Sequence, residues 1–242
     1  MNITNLLMNF WDYSIILPAA FLCILPVLHH SRIKSVILLP VMSAVILIVS
    51  FVLSVLLCLT EIDVNILLLC ALLPALVFYF IAFDVRNNKL WYIFVCAIAV
   101  FSFGGLSTHY IEGILESPDE IIIAYSIKWL ISVLFLAAEI IFLKQLRWLL
   151  DNENVNSIWK IAWMVPALII IFNFFMIPSD SANIKVGRAF SLYIMYEITL
   201  IIFFVIFLVL QYAITKAITT KTEAEHNTHI LSLQAAQYEN LK

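Results

Sequence analysis

Residues 191–215 read "SLYIMYEITLIIFFVIFLVLQYAIT", and residues 216–242 continue "KAITTKTEAEHNTHILSLQAAQYENLK" with no proline or glycine in either stretch. A helix needs about twenty mostly apolar residues to cross the hydrocarbon core of a bilayer. The first stretch meets that requirement, and the second is polar and rich in helix-forming residues. The simplest reading is one helix that leaves a membrane and goes on into water. It closes without the Gly or Asn, and the following Pro, that usually end a helix.

The rest of the chain fits this reading. Apolar residues make up 64% and charged residues 12%, with a mean hydropathy of +1.06. A soluble domain is about half apolar and a quarter charged. Four glycines and seven prolines in 242 residues leave little material for loops. The expected fold is therefore an all-α, polytopic transmembrane bundle of long helices with short connections. Continuous apolar runs argue against a barrel, which needs short alternating segments.

Seven segments are long enough to span, at roughly 10–28, 35–59, 66–83, 90–114, 121–143, 161–177 and 190–214. Positive charge sets their orientation. Arg32, Lys34, Arg86, Lys89, Lys144, Arg147 and Lys160 lie in the first, third and fifth connections, and Lys216, Lys221 and Lys242 in the tail. The opposite side carries Lys185 and Arg188, and its second and fourth connections hold the acids Glu61, Asp63, Glu116, Asp119 and Glu120. The N-terminus is expected outside and the C-terminus inside, in a multi-pass cell-membrane protein. Trp91, Trp148, Trp159 and Trp163 then fall at the inner headgroup level and Trp11 at the outer one. The division is a sensor-like membrane domain over 1–214 and a cytoplasmic helix over 215–242.

Cys23, Cys58, Cys70 and Cys96 lie in apolar runs without CxxC spacing, so they read as packing residues. The N-terminal "MNITNLLMNFWD" has no positive region, and no cleavable leader is expected. Basic residues form no patch, which excludes nucleic acid as an expected partner. The outer connections are short. Any ligand must be read by the helices and their outer ends.

An ionisable side chain within a span costs at least about 2.5–3.5 kcal/mol on insertion scales, so it usually faces the bundle and has a partner. Lys128, Glu139 and Glu197 are such residues. Lys128 and Glu197 lie at nearly the same depth, about two turns from the outer surface, and are expected to pair. The same outer third receives Ser107, Thr108, His109 and Tyr110 of "GGLSTHY" and Asn173 of the sixth segment. Gly104 and Gly105 would allow close backbone approach. Lys128, Glu197, His109, Tyr110 and Asn173 are the candidate ligand-binding residues. A buried structural pair is the alternative for Lys128 and Glu197, and an interfacial position for His109. Glu139 is expected to snorkel or to meet Lys144 or Arg147. His29 and His30 read as a solvated pair, a weak metal signal on their own.

Catalytic signatures such as HExxH, GxSxG and the Walker A loop are missing from the sequence. The last span lacks a lysine for a retinal Schiff base. No enzymatic activity, no metal and no cofactor are expected for this chain.

In the tail, Ala224, Asn227, Leu231, Gln234, Tyr238 and Leu241 fall at alternating three- and four-residue steps, the spacing of a dimeric coiled coil or of a solvated amphipathic helix. The run "LSLQAAQYENL" at 231–241 resembles the entry into the dimerisation helix of the peptide-pheromone receptor histidine kinases of the accessory-gene-regulator sensor type, within the GHKL kinases. Those proteins have six or seven short-looped spans, an outward N-terminus and a last span leading to a Gln-x-x-Gln-Tyr helix. The resemblance implies a sensor module of a two-component histidine kinase. Gln234, Gln237 and Tyr238 would transmit the signal, a small extracellular peptide would be the ligand, and the chain would be a homodimer. It also implies that the phosphate-accepting histidine and ATP-binding domain follow beyond residue 242, so that a response regulator is engaged only through that part. His226 and His229 precede the motif and do not correspond to the acceptor. A small permease or channel-like protein and a kinase-less membrane adaptor are the alternatives.

Overall fold

The computed structural model describes residues 3–60, 64–114, 121–152, 158–177 and 189–240. Helices account for nearly all of them: α1 (Ile3–Tyr13), α2 (Ile16–Ile24), a 3₁₀ segment (Leu25–His30), α3 (Ser35–Leu59), α4 (Val64–Ala82), α5 (Asn87–Ile114), α6 (Ile121–Asp151), α7 (Trp159–Ala162), α8 (Met164–Phe175) and α9 (Ala189–Asn240). Among the described residues, five stretches are long and apolar enough to cross a membrane: Ile3–His30, Ile37–Leu59, Asn87–Ile114, Ile121–Asp151 and Ser191–Gln234. This is the makeup of a multi-pass membrane protein. The third and sixth expected segments correspond to shorter apolar helices, Cys70–Ala82 and Trp159–Phe175.

The first expected segment is broken where the sequence suggested one helix over 10–28. Pro18 has no N–H for the Ser14 carbonyl, and its ring crowds that carbonyl. Ser14 instead accepts from the Leu17 N–H at 3.0 Å, and the helix restarts at Ile16. Backbone groups freed inside a bilayer must find other partners. Here Ser50 Oγ of α3 donates to the Tyr13 carbonyl at 3.1 Å, and Trp129 Nε1 of α6 donates to the Trp11 carbonyl at 3.2 Å. Pro26 opens the 3₁₀ segment in the same way. Pro166, which cannot donate to Ala162, lies just beyond the break between α7 and α8 at Trp163. Pro40 and Pro74, by contrast, sit within the continuous helices α3 and α4.

The centre of the bundle is α5, which packs against α2, α6, α7, α8 and α9. Its residues Leu90, Tyr92, Ala99, Phe103 and Leu106 are at most 1% exposed. In contrast, α3 is apolar on every side and leaves Ile37, Val41, Ile48 and Phe51 uncovered, as a helix facing lipid does. Trp159, expected at a headgroup boundary, is 1% exposed and packs edge-on to Tyr92 at 5.1 Å. Its place near the start of a short helix against α5 draws it into the core.

One end of the bundle gathers the turns that follow α2 and α4 and the end of α6. Ser31 bridges Phe83, Arg32 N donates to the Ala82 carbonyl at 3.0 Å, and Asp84 N donates to the His30 carbonyl at 3.0 Å. Lys89 Nζ caps the Leu150 carbonyl, and the Asn152 side chain bonds Thr219 of α9. This is the tail-side end of the bundle, past which α9 continues. A cavity of about 470 Å³ lies there between α6 and α9, lined by Lys144, Trp148, Tyr212, Lys216 and Glu223 among others.

Candidate functional site

The opposite end of the bundle holds two polar groups on two sides of α5. On the α6 side, Lys128 Nζ donates to Asp12 Oδ1 at 2.7 Å and sits 5.1 Å from the Phe101 ring centre. Lys128 is 8% exposed. Its partner is therefore Asp12 of α1, and the expected Lys128–Glu197 pair does not form. Equal depth fixed how far each residue lies along its helix but not which way it faces, and α6 turns Lys128 toward α1. Stacked Trp11 and Trp129 rings, 5.5 Å apart, flank the pair.

Gly104 makes this approach possible. A Cβ there would stand 3.1 Å from Lys128 Cγ and 3.6 Å from the Lys128 carbonyl oxygen, whereas a Cβ on Gly105 would meet nothing within 4 Å. The lysine stem cannot yield freely, because its tip is held by Asp12. Gly104→Val is expected to cost about 1–3 kcal/mol through overpacking. Gly105→Ala is expected to be neutral or to stabilise by up to about 1 kcal/mol through helix propensity. Thermal unfolding of the two variants in the same detergent checks the contrast.

On the other side, α5, α8 and α9 are joined by a polar network. Asn173, 2% exposed, donates from Nδ2 to Ser102 Oγ at 2.8 Å and accepts from Tyr196 OH at 3.1 Å. Tyr193 OH donates to Ser107 Oγ at 2.6 Å, and its ring stacks on Tyr110 at 3.9 Å. Tyr110 OH reaches the Met176 carbonyl at 3.2 Å. Glu197 lies one turn after Tyr193, which puts both on one face of α9. It is 8% exposed, and its Oε1 is buried with no hydrogen-bond partner among the described residues. So Tyr110, Asn173 and Glu197 share one side of α5, Lys128 the other. His109 is half exposed and 3.9 Å from Glu112, which fits an interfacial position.

Glu139 also departs from expectation. Neither of its carboxylate oxygens has a partner among the described residues, and Arg147 donates instead to the Leu25 carbonyl at 3.0 Å. Since Arg147 lies eight residues further along α6, about 12 Å along the axis, it is too far to reach back. Two sets of residues stayed hidden in the sequence: Asp12 as the partner of Lys128, and the pairing of His29 and His30 with Asp151.

The buried side of α9 is a narrow stripe: Tyr193, Glu197, Phe204, Gln211 and Thr215. Much of its attachment to α5 and α8 is polar, with Tyr92 OH donating to Gln211 Oε1 at 2.7 Å at the tail-side end. Beyond Thr220 the described side chains of α9, including Gln234 and Gln237, are exposed. The Tyr238 side chain lies outside the described residues, as do Leu241 and the acidic residues of the second and fourth connections. Comparison with protein-family models, with curated proteins and with solved structures finds no match.

Proposed function

We propose that the chain is the membrane sensor module of a two-component histidine kinase. In this reading it has seven spans, with the N-terminus outside and the tail in the cytoplasm, and it forms a homodimer through the tail. It detects an extracellular ligand, a small peptide by the resemblance of residues 231–241, and passes the signal through α9. The observation that carries this reading is the continuity of α9. One helix of 52 residues joins the buried Tyr193–Glu197 network to an exposed polar segment ending in the Gln234 and Gln237 region.

A ligand shifts such a helix only by binding two arrangements with different affinity. The residues for that discrimination are Tyr110, Asn173 and Glu197, with Lys128 on the other side of α5 and His109 at an exposed interfacial position. A polar or cationic ligand group that reached Glu197 Oε1 would supply the partner this oxygen lacks among the described residues, and in doing so would favour one setting of α9 over another. Glu197→Gln removes the charge and keeps the shape. In the kinase-bearing protein the variant is expected to lose its response to added ligand while keeping basal autophosphorylation. An unchanged dose response would remove Glu197 from the site.

A small proton-linked permease is the second reading, favoured by the broken first segment beside the Asp12–Lys128 pair. Transporters bind ions at such helix breaks. Proton-coupled uptake in vesicles reconstituted with the purified protein would support it over the sensor reading.

A further inference from the structure

At the tail-side end, two elements far apart in sequence bring three ligand atoms together. The 3₁₀ segment ends on His29 and His30, and α6 ends on Asp151. His29 Nε2 lies 3.0 Å and 3.1 Å from the two Asp151 carboxylate oxygens, and His30 Nε2 lies 2.8 Å from Oδ1. All three ligand atoms fall within 4.8 Å of one another, and all three residues are exposed. Successive side chains of a 3₁₀ helix point about a third of a turn apart. The two imidazoles nonetheless stand with ring centres 4.0 Å apart, both turned to the same carboxylate.

The surrounding backbone braces this arrangement. Arg147, one turn before Asp151, holds the Leu25 carbonyl of the 3₁₀ segment, and Lys89 holds the Leu150 carbonyl next to Asp151. The His30 carbonyl is fixed by the Asp84 N–H. The histidines and the aspartate are thus positioned from both sides without relying on one another.

We propose that His29, His30 and Asp151 form a binding site for a divalent transition-metal cation of the zinc class. Two imidazoles and a carboxylate are a borderline donor set, suited to such ions. With three protein ligands the remaining position is open to water. Bond lengths of about 2.0–2.2 Å to each ligand atom require only small movements from the present contacts. The cation takes the place of the Nε2 contacts with the carboxylate, each imidazole binding it through an unprotonated Nε2 with its ring proton on Nδ1 and any excess proton released to solvent. Its place matters for the fold, because Asn152 follows Asp151 directly and bonds Thr219 of α9. Occupancy would fasten the turn after α2 to the end of α6 at the point where α6 touches the long helix.

The test uses the purified chain in detergent, without a polyhistidine tag, titrated with Zn²⁺ by calorimetry and with Co²⁺ by visible absorption. The expected result is saturable binding of one ion, with a cobalt spectrum lacking thiolate charge transfer. His30→Gln and Asp151→Asn should each weaken Zn²⁺ binding by at least about 100-fold, since even the groups that only orient a ligand are worth 10–100-fold. Asp151→Asn keeps the shape and an acceptor on an exposed surface, so it serves where a histidine variant folds poorly. A His226→Gln, His229→Gln double variant should bind as the parent does. Absence of saturable binding in the parent chain overturns the proposal, and so does binding that follows His226 and His229 or the cysteines.

Discussion

Asp12→Leu is expected to lower stability by about 3 kcal/mol, at the lower end of the 3–5 kcal/mol lost when one partner of a buried ion pair is removed. The aspartate side chain keeps about a quarter of its surface exposed, whereas that of Lys128 keeps 10%. Removing Asp12 therefore takes from an ammonium group enclosed by Phe101, Gly104 and the end of α1 the carboxylate that pairs with it among the described residues. Lys128→Met costs less, because the abandoned Asp12 still reaches water. Combined in one chain, the two changes replace an ion pair by apolar contact and should restore most of the loss. Unfolding midpoints of the two single variants and the double variant, taken together as a cycle, measure this coupling. Purely additive effects would show that the contact between α1 and α6 rests on packing alone.

On the proposed sensor reading, a single alanine inserted between Thr222 and Glu223 should abolish ligand dependence of the kinase output, and a seven-residue insertion should restore most of it. The side chains from Thr220 to Gln234 are exposed, so neither insertion disturbs the packing of the bundle. One residue turns everything after it by about 100°, while seven residues return the helix to within about 20° of its original facing. If rotation or displacement of α9 carries the signal, output depends on this phase. Equal effects of the two insertions, read as ligand-dependent autophosphorylation, would reduce α9 to a tether.

The parts of this structure that were legible in the sequence are those set by apolar length. Lipid requires every backbone group to be satisfied within the segment, so a run such as residues 35–59 has almost no alternative to a helix, and α3 matches it residue for residue. The breaks were less legible. Pro18 and Pro166 lie beside interruptions while Pro40 and Pro74 lie inside unbroken helices, and what distinguishes the first break is the set of neighbouring donors, Ser50 and Trp129, that take up the freed carbonyls.

The same limit applies to the polar residues. A charge in an apolar run marks Lys128 and Glu197 as costly, and both are indeed buried. The partner depends on the direction each helix presents, which hydropathy does not encode. Asp12 and Lys128 are 116 residues apart, and Asp151 is 121 residues from His30. No local pattern links such residues, since their meeting is decided by the packing order around α5.

Sequencing the gene immediately beyond the codon for Lys242 tests the sensor reading most directly. The expected result is an uninterrupted frame with an Arg-His-Asp sequence a few helical turns on, followed by an asparagine-containing ATP-binding motif. A stop codon directly after Lys242 would contradict it and leave partner capture and flux measurements to decide between an adaptor and a permease.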